Sequence, residues 1–257
     1  ESQLGMVTAF YFIPVAILAI FVGRALDKYS VKNFMMIGSM IYAVGLFSLS
    51  FINSFWSLIT IYLTILALGS IMMGNLAVAK LISNWFDKNA GRALGIAAVG
   101  ISFSGVVLPL IVDPLLDIVG WRNVYVIFAS VVLFIILPLI FFVVIDDPYT
   151  VNQVKDGMKR DLEEESLPKV MTSKNLLSKK VFWIISLAFA FQFLSMMGVI
   201  AFLPIHASKM GLDQTWDLIG FPVKQYVFAY TLAAFGGVLG KLIFGYLIDI
   251  MKAAHPS

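Results

Sequence analysis

Cysteine is absent from this chain, and histidine occurs only twice, at His206 and His255. No disulfide can brace the fold, no thiolate can bind a metal, and two histidines are too few for a zinc cluster. Charge is scarce as well: 13% of the residues are Asp, Glu, Lys or Arg, against 60% hydrophobic residues and a mean hydropathy of +0.94. A soluble domain of 257 residues cannot bury that much apolar surface, so the composition points to a membrane protein. At Glu1 there is no basic start leading into a short apolar run and a small-residue cleavage site, so no signal peptide is visible.

What the chain does have is long apolar runs. Stretches free of charged residues extend from Leu4 to Val22, Phe34 to Ile52, Phe55 to Ala79, Ala93 to Val112, Asn123 to Ile145 and Val181 to Ile205, and a seventh, Tyr226 to Ile248, holds only Lys241. Each can cross a hydrocarbon core of about 30 Å as a helix rising about 1.5 Å per residue. The apolar residues are continuous rather than alternating, which predicts seven helices and not barrel strands. Pro14, Gly69, Pro109 and Pro138 fall inside these runs, where neighbouring helices can satisfy freed backbone groups.

Basic residues divide unequally between the two sides of the spans. Arg24, Lys28, Lys32, Lys80, Lys88, Arg92, the seven from Lys155 to Lys180 and Lys252 fall on one side; only Arg122, Lys209 and Lys224 fall on the other. The basic side is expected to be cytoplasmic, with Glu1 outside, Ser257 inside and the protein in the cell membrane. Nucleic acid is not needed to explain a pI near 9.0. The hydrophilic stretch Asp146 to Lys180 reads as a cytoplasmic linker between an N-terminal bundle, 1–145, and the first helices of a second bundle, 181–257.

One pattern occurs twice: Gly23-Arg24-Ala25-Leu26-Asp27 and Gly245-Tyr246-Leu247-Ile248-Asp249, each at the end of an apolar run. Six runs separate the copies, and an even number of crossings returns the chain to the same side, as in parallel repeats about an axis along the membrane normal. One span precedes the first copy, whereas two lie between the linker and the second. The symmetry therefore predicts seven helices of a twelve-helix protein, with an opening helix before the first. Asp27 and Asp249 stand at helix C-termini, where a carboxylate meets the negative end of its own helix dipole. Each calls for a cation or another helix's N-terminus, and a contact made in only one conformation would be a latch.

Gly23 to Lys32, with Asp27 followed by Lys28, resembles the cytoplasmic signature of the major facilitator superfamily, and Gly245 to Asp249 falls where its echo would be. Ser30 and Val31 stand where that signature usually has Gly and Arg, and Ile250 where the second copy usually has a base. Asn84-Trp85-Phe86-Asp87, Gly91-Arg92-Ala93-Leu94-Gly95 and Gly120-Trp121-Arg122 resemble the oxalate/formate antiporter and monocarboxylate transporter branch. The resemblance spans the chain as family helices two to eight. It implies that Asp249 lies near the start of the fourth span, around Asn89 to Arg92, and that the fourth and seventh spans face each other across the bundle boundary.

Lys241 is the leading candidate for chemistry. A lysine in mid-helix costs roughly 2.5–3.5 kcal/mol on insertion scales and marks a pathway or an ion pair unless it snorkels, the inner end being about 10 Å of helix away. No acid shares its span before Asp249, which leaves an anionic substrate as its partner. The resemblance adds that Lys241 stands where the branch carries a substrate-binding cation, usually arginine; lysine would give a point charge instead of a fork. Tyr230, eleven residues earlier, shares its helix face. Tyr11 and Thr8, Asn75, and Gln192 with Ser195 are the other intramembrane polar groups that could face a cavity. Small residues form stripes at Gly95, Ala98, Ser102 and Gly105 and at Ala233, Gly237 and Gly240, which let backbones approach closely.

Gly236 to Lys241 is not a phosphate loop: position 235 is Phe, Leu242 replaces Ser or Thr, and the stretch is intramembrane. No cofactor, metal or enzymatic activity is expected. The sequence predicts a secondary transporter moving a small organic anion by alternating access, possessing Lys241, Tyr230, Tyr11, Asn75 and Gln192 as binding groups, with Gly23, Asp27, Lys28, Arg92, Gly245 and Asp249 in gating. Its partners are the anion, a coupling proton or counter-anion, and the bilayer. A carrier of the same superfamily for a neutral solute or drug is the alternative. A seven-helix retinal protein fits the span number and the lysine, but no span before the last supplies a counterion and the linker is long for that class.

Overall fold

The computed structural model describes residues 2–156, 178–211, 214–218 and 221–254. Two compact units emerge: Glu1–Met158 with Ala234–Ser257, and Lys159–Ala233.

In the first unit, α1 (Ser2–Leu26) runs through Pro14 and ends beside Arg24. After a short turn, Ser30 opens α2 (Val31–Leu49), its hydroxyl accepting from the Asn33 N–H at 3.1 Å and so satisfying one orphan donor of the helix start. The path from Phe55 to Trp85 is one apolar stretch in pieces: α3 (Phe55–Ile61), a π turn at Tyr62–Leu66, α4 (Ala67–Met73) and, after the extended Gly74, α5 (Asn75–Trp85). Helix α6 (Ala90–Val131) is two helices joined at Gly120, whose φ of 75° only glycine adopts readily; a π turn (Val132–Ile136) and α7 (Leu137–Val143) follow it.

Two hydrophobic clusters hold these helices together, and both rest on α2. One joins Val31 and Met35 to Val22 and Leu26 of α1, Ile71 and Met72 of α4, Ala77 of α5 and Ile140 of α7. The other joins Ala43, Leu46 and Leu49 to Leu66, Ala129 and Val132. At Gly69, an added Cβ would come within 2.6 Å of the Tyr42 backbone nitrogen, so α2 and α4 cross backbone to backbone. Large apolar side chains cover the outside: Trp56, Ile118, Phe134 and Phe142 are each at least 74% exposed. Residues of that kind facing outward on long helices are what a lipid surround requires.

Among the described residues, five helical stretches are long and apolar enough to cross a membrane: Val31–Leu49, Phe55–Trp85, Ala90–Val112, Pro114–Val143 and Thr231–Ile248. The other two expected spans coincide with α1 and with α8 (Lys180–Lys209), whose described apolar stretches, Ile13–Leu26 and Lys180–Gln192, are shorter. The chain is all-α as expected, with one short strand pair added in the second unit. Strands β1 (Thr215–Leu218) and β2 (Phe221–Lys224) form an antiparallel hairpin in register Thr215↔Lys224 to Leu218↔Phe221. Thr215, Trp216, Phe221 and Val223 are of residue types that favour the extended state, a local preference that a count of apolar spans does not register. Beyond the hairpin, α9 (Gln225–Ala254) begins, and the Trp216 ring lies 5.9 Å from Phe228.

Candidate functional site

Within the first unit, α9 runs antiparallel to the first half of α6 along a seam of small residues. Gly91, Gly95, Ala98, Ser102 and Gly105 recur every three or four positions and so share one face of α6. The facing residues of α9 are Ala234, Gly237, Lys241 and Gly245. A Cβ added at Gly95 would lie 2.8 Å from the Lys241 carbonyl oxygen, and one at Gly245 would lie 2.9 Å from the Gly91 oxygen and 3.1 Å from the Gly95 Cα. These are backbone contacts that only glycine permits. The expected stripe on the last span is thus corrected: Gly240 has open space around its would-be Cβ and Ala233 is exposed, while Ala234 and Gly245 take their places.

Lys241 reaches across this seam. Its Nζ donates to the Ala98 carbonyl oxygen at 2.9 Å and to Ser102 Oγ at 2.8 Å, so the ammonium sits on α6, half-buried, although it grows from α9. No carboxylate pairs with it among the described residues. Gly237 keeps room for the serine, since a Cβ there would stand 2.9 Å from Ser102 Oγ. One turn toward the end of α9, the Arg92 guanidinium lies over the Tyr246 ring at 4.7 Å, a cation–π contact across the same seam. Asp249 follows Gly245 by four residues on α9; its side chain lies outside the described residues.

The first unit also carries a set of carboxylates at helix ends. Asp27, just past the C-terminus of α1, pairs with Lys80 of α5 at 2.8 Å; the two side chains are 69% and 34% exposed, respectively. Asp146 Oδ1 accepts from the Lys32 N–H at 2.6 Å, capping α2, while its own carbonyl accepts from Asn84 Nδ2 at 3.0 Å. Trp85 Nε1 donates to the Ile145 carbonyl at 2.8 Å. Asp156 Oδ2 accepts from both the backbone N–H and the Nδ2 of Asn89, at 2.8 and 2.9 Å, so a carboxylate stands at the start of α6, the favourable end of that helix's dipole. The opening of the hydrophilic stretch, residues 146–156, is therefore docked on helix ends; residues 157–177 lie outside the described residues.

Lys241, Arg92 and Gly245 are the sequence candidates that share this seam. Asn75 is the exposed first residue of α5, after the break at Gly74. Gln192 and Ser195 are exposed on α8 in the second unit. The side chains of Tyr11, Thr8 and Tyr230 lie outside the described residues. Lys28 is exposed in the turn after α1, and Gly23 makes only ordinary contact, 3.8 Å, with Leu76. Reasoning from sequence missed the roles of Ser102, Lys80, Asp146 and Asp156. Only Ser102 carried a signal, as a member of the small-residue stripe.

Comparison with known proteins agrees with this architecture. The family model of the Major Facilitator Superfamily matches residues 1–256. The chain is 22% identical over 253 residues to the MFS-type transporter YcxA of Bacillus subtilis, covering 98% of the chain and 57% of that protein. It is 30% identical over 101 residues to an MFS-type transporter of Gibberella moniliformis, covering 39% of the chain and 24% of the relative. It is also 29% identical over 104 residues to the Fujikurins efflux protein of Gibberella fujikuroi, covering 40% and 21%. The matched regions thus span from about a fifth to just over half of these relatives' lengths. With the family pattern running through residues 1–256 of a chain rich in apolar helices, this chain belongs to the Major Facilitator Superfamily, a family of multi-pass membrane transporters and not of enzymes.

Proposed function

We propose that the chain is the seven-helix part, family helices two to eight, of a twelve-helix secondary transporter that moves a small organic anion, a mono- or dicarboxylate, by alternating access. In this reading residues 1–145 belong to the first bundle, 146–180 link the bundles, and 181–257 begin the second. The excess of basic residues on one side puts the linker and Ser257 in the cytoplasm and Glu1 outside the cell membrane.

The observation that carries the substrate class is Lys241. An ammonium has three N–H donors, and here two are committed to neutral oxygens, Ala98 O and Ser102 Oγ. A positive charge amid apolar helices, with no carboxylate beside it among the described residues, is suited to attract an anion. Because the lysine spans the seam between α6 and α9, an anion that drew it away would also loosen the contact between the two bundles, which couples binding to rocking. Arg92, Gly245 and Asp249 at the end of the seam, and Asp27 with Lys28 at the first acidic turn, are the gating groups of this reading.

Lys241→Gln in the full-length protein, reconstituted in liposomes, tests it. Uptake of radiolabelled formate, lactate or oxalate, whichever the native protein carries best, falls at least tenfold, and Lys241→Arg keeps a measurable part of it. Unchanged uptake in Lys241→Gln overturns the assignment.

A second reading has an observation of its own: both bonds of Lys241 go to α6, as they would in a structural tether. The protein would then be a carrier for a neutral solute or drug, and one of the similar proteins is named for efflux. In that case Lys241→Gln weakens folding without changing substrate preference, and none of the three carboxylates is carried.

A further inference from the structure

A serine hydroxyl within a helix usually donates to a carbonyl three or four residues back. Ser39, Ser48, Ser70, Ser83, Ser104 and Ser130 all do so, at 2.7–3.0 Å. Ser102 does not. The carbonyl four residues back is Ala98 O, which Lys241 already occupies, and Ser102 Oγ itself accepts from the same ammonium. A hydroxyl that accepts a hydrogen bond still has its own proton to give, and that proton has no acceptor among the described residues.

Among the described residues, two donors without a committed acceptor therefore stand side by side: the third N–H of Lys241 and the O–H of Ser102, with their heavy atoms 2.8 Å apart. The two oxygens of a carboxylate are about 2.2 Å apart, from two bonds of about 1.23 Å at a trigonal carbon. A pair of roughly parallel hydrogen bonds fits that spacing, as in the forked pairing of a guanidinium with a carboxylate. A lone lysine offers only a point charge; Lys241 with Ser102 offers a charge and a second donor at a fixed distance. Both residues are half-buried and so still reachable. Gly237 is the third part of the arrangement, because any side chain there would crowd the hydroxyl.

We infer that Ser102 is a substrate-contacting residue, donating to one carboxylate oxygen of the transported anion while Lys241 donates to the other. The inference rests on the reading of Lys241 as the anion-binding group, and its test separates the two. Full-length native protein, Lys241→Gln and Ser102→Ala are compared in liposomes for uptake of labelled formate, lactate and oxalate, using the best-carried of the three for kinetics. Ser102→Ala is expected to raise KM about tenfold with Vmax within twofold. A double variant, Gly105→Cys with Ala234→Cys, reports on the seam, since a Cβ at position 105 would lie 3.4 Å from that of Ala234, close to disulfide spacing. Its rate of oxidative cross-linking is expected to be the same with and without Ser102→Ala.

An unchanged KM in Ser102→Ala, with uptake lost in Lys241→Gln, overturns the role of Ser102 alone. A rise in KM accompanied by slower cross-linking also overturns it, because the serine would then only hold the seam. Full uptake in Lys241→Gln, or no uptake of any of the three anions by the native protein, overturns the parent reading and this one together.

Discussion

Gly245→Ala puts one methyl group into the tightest part of the α6–α9 seam. The new Cβ would start 2.9 Å from the Gly91 oxygen and 3.1 Å from the Gly95 Cα, whereas carbon atoms rest at about 3.5–4.0 Å from one another. The helices must part by about 0.5 Å. If Lys241, one turn away, followed rigidly, its bonds of 2.8 and 2.9 Å would stretch to about 3.3–3.4 Å, beyond the usual 2.7–3.2 Å range for an N–H donor. Overpacking of this kind costs about 1–3 kcal/mol, against a gain of up to about 1 kcal/mol from replacing a helical glycine by alanine. The net is a loss of up to about 2 kcal/mol at position 245. At Gly236 and Gly240 on the same helix, nothing lies within 4 Å of an added Cβ, so alanine there should be neutral or stabilising. Thermal unfolding of the full-length protein in detergent, with uptake kinetics on the same samples, gives the comparison. Gly245→Ala as stable and as active as Gly240→Ala would refute the close crossing.

Other contacts give smaller, separable effects. The Asp27–Lys80 pair is largely exposed, and such pairs contribute at most about 1 kcal/mol; Lys80→Gln should barely move the unfolding temperature, yet alter the transport rate, and the swap Asp27→Lys with Lys80→Asp should restore that rate. No change in rate for Lys80→Gln would remove Asp27 from gating. Asp156→Ala takes away the one oxygen that accepts from both donors of Asn89, a loss comparable to that of a helix cap, about 1 kcal/mol. Hydrogen exchange at the Asn89 amide should quicken severalfold, while exchange at Lys32, capped by Asp146, stays the same; equal exchange at Asn89 in the two proteins would show that the cap is not formed.

The membrane helices were legible because continuous apolar runs need no partner to be recognised. The expected runs fall within α1, α2, the α3–α5 path, α6 through α7, α8 and α9, with boundaries a few residues apart. Lys241 was legible for the opposite reason, as a charge out of place in such a run. Its bond to Ser102 was not, since the two are 139 positions apart and no periodicity links residues on different helices. The same holds for Asp27 with Lys80 and for Asp146 with Lys32, 53 and 114 positions apart. The small-residue stripe of the fourth span was read correctly, but on the last span Gly240 was chosen over Gly245, because glycines alone do not say which face of a helix meets its neighbour. The π turns at Tyr62–Leu66 and Val132–Ile136 and the hairpin at Thr215–Lys224 left no mark in an apolar count. Nor did the docked start of the hydrophilic stretch: Asp146 and Asp156 look like any solvated acids until the helix ends they cap are in place.

The most direct measurement is binding of the best-carried carboxylate to purified full-length protein, read as a concentration-dependent rise in unfolding temperature, for the native protein and for Lys241→Gln. Ligand bound only to the folded state stabilises it by mass action, so the native protein should show the rise and Lys241→Gln should show none at the same concentrations. An equal rise in both would mean that the anion binds elsewhere, and that the lysine across the α6–α9 seam is a tether and nothing more.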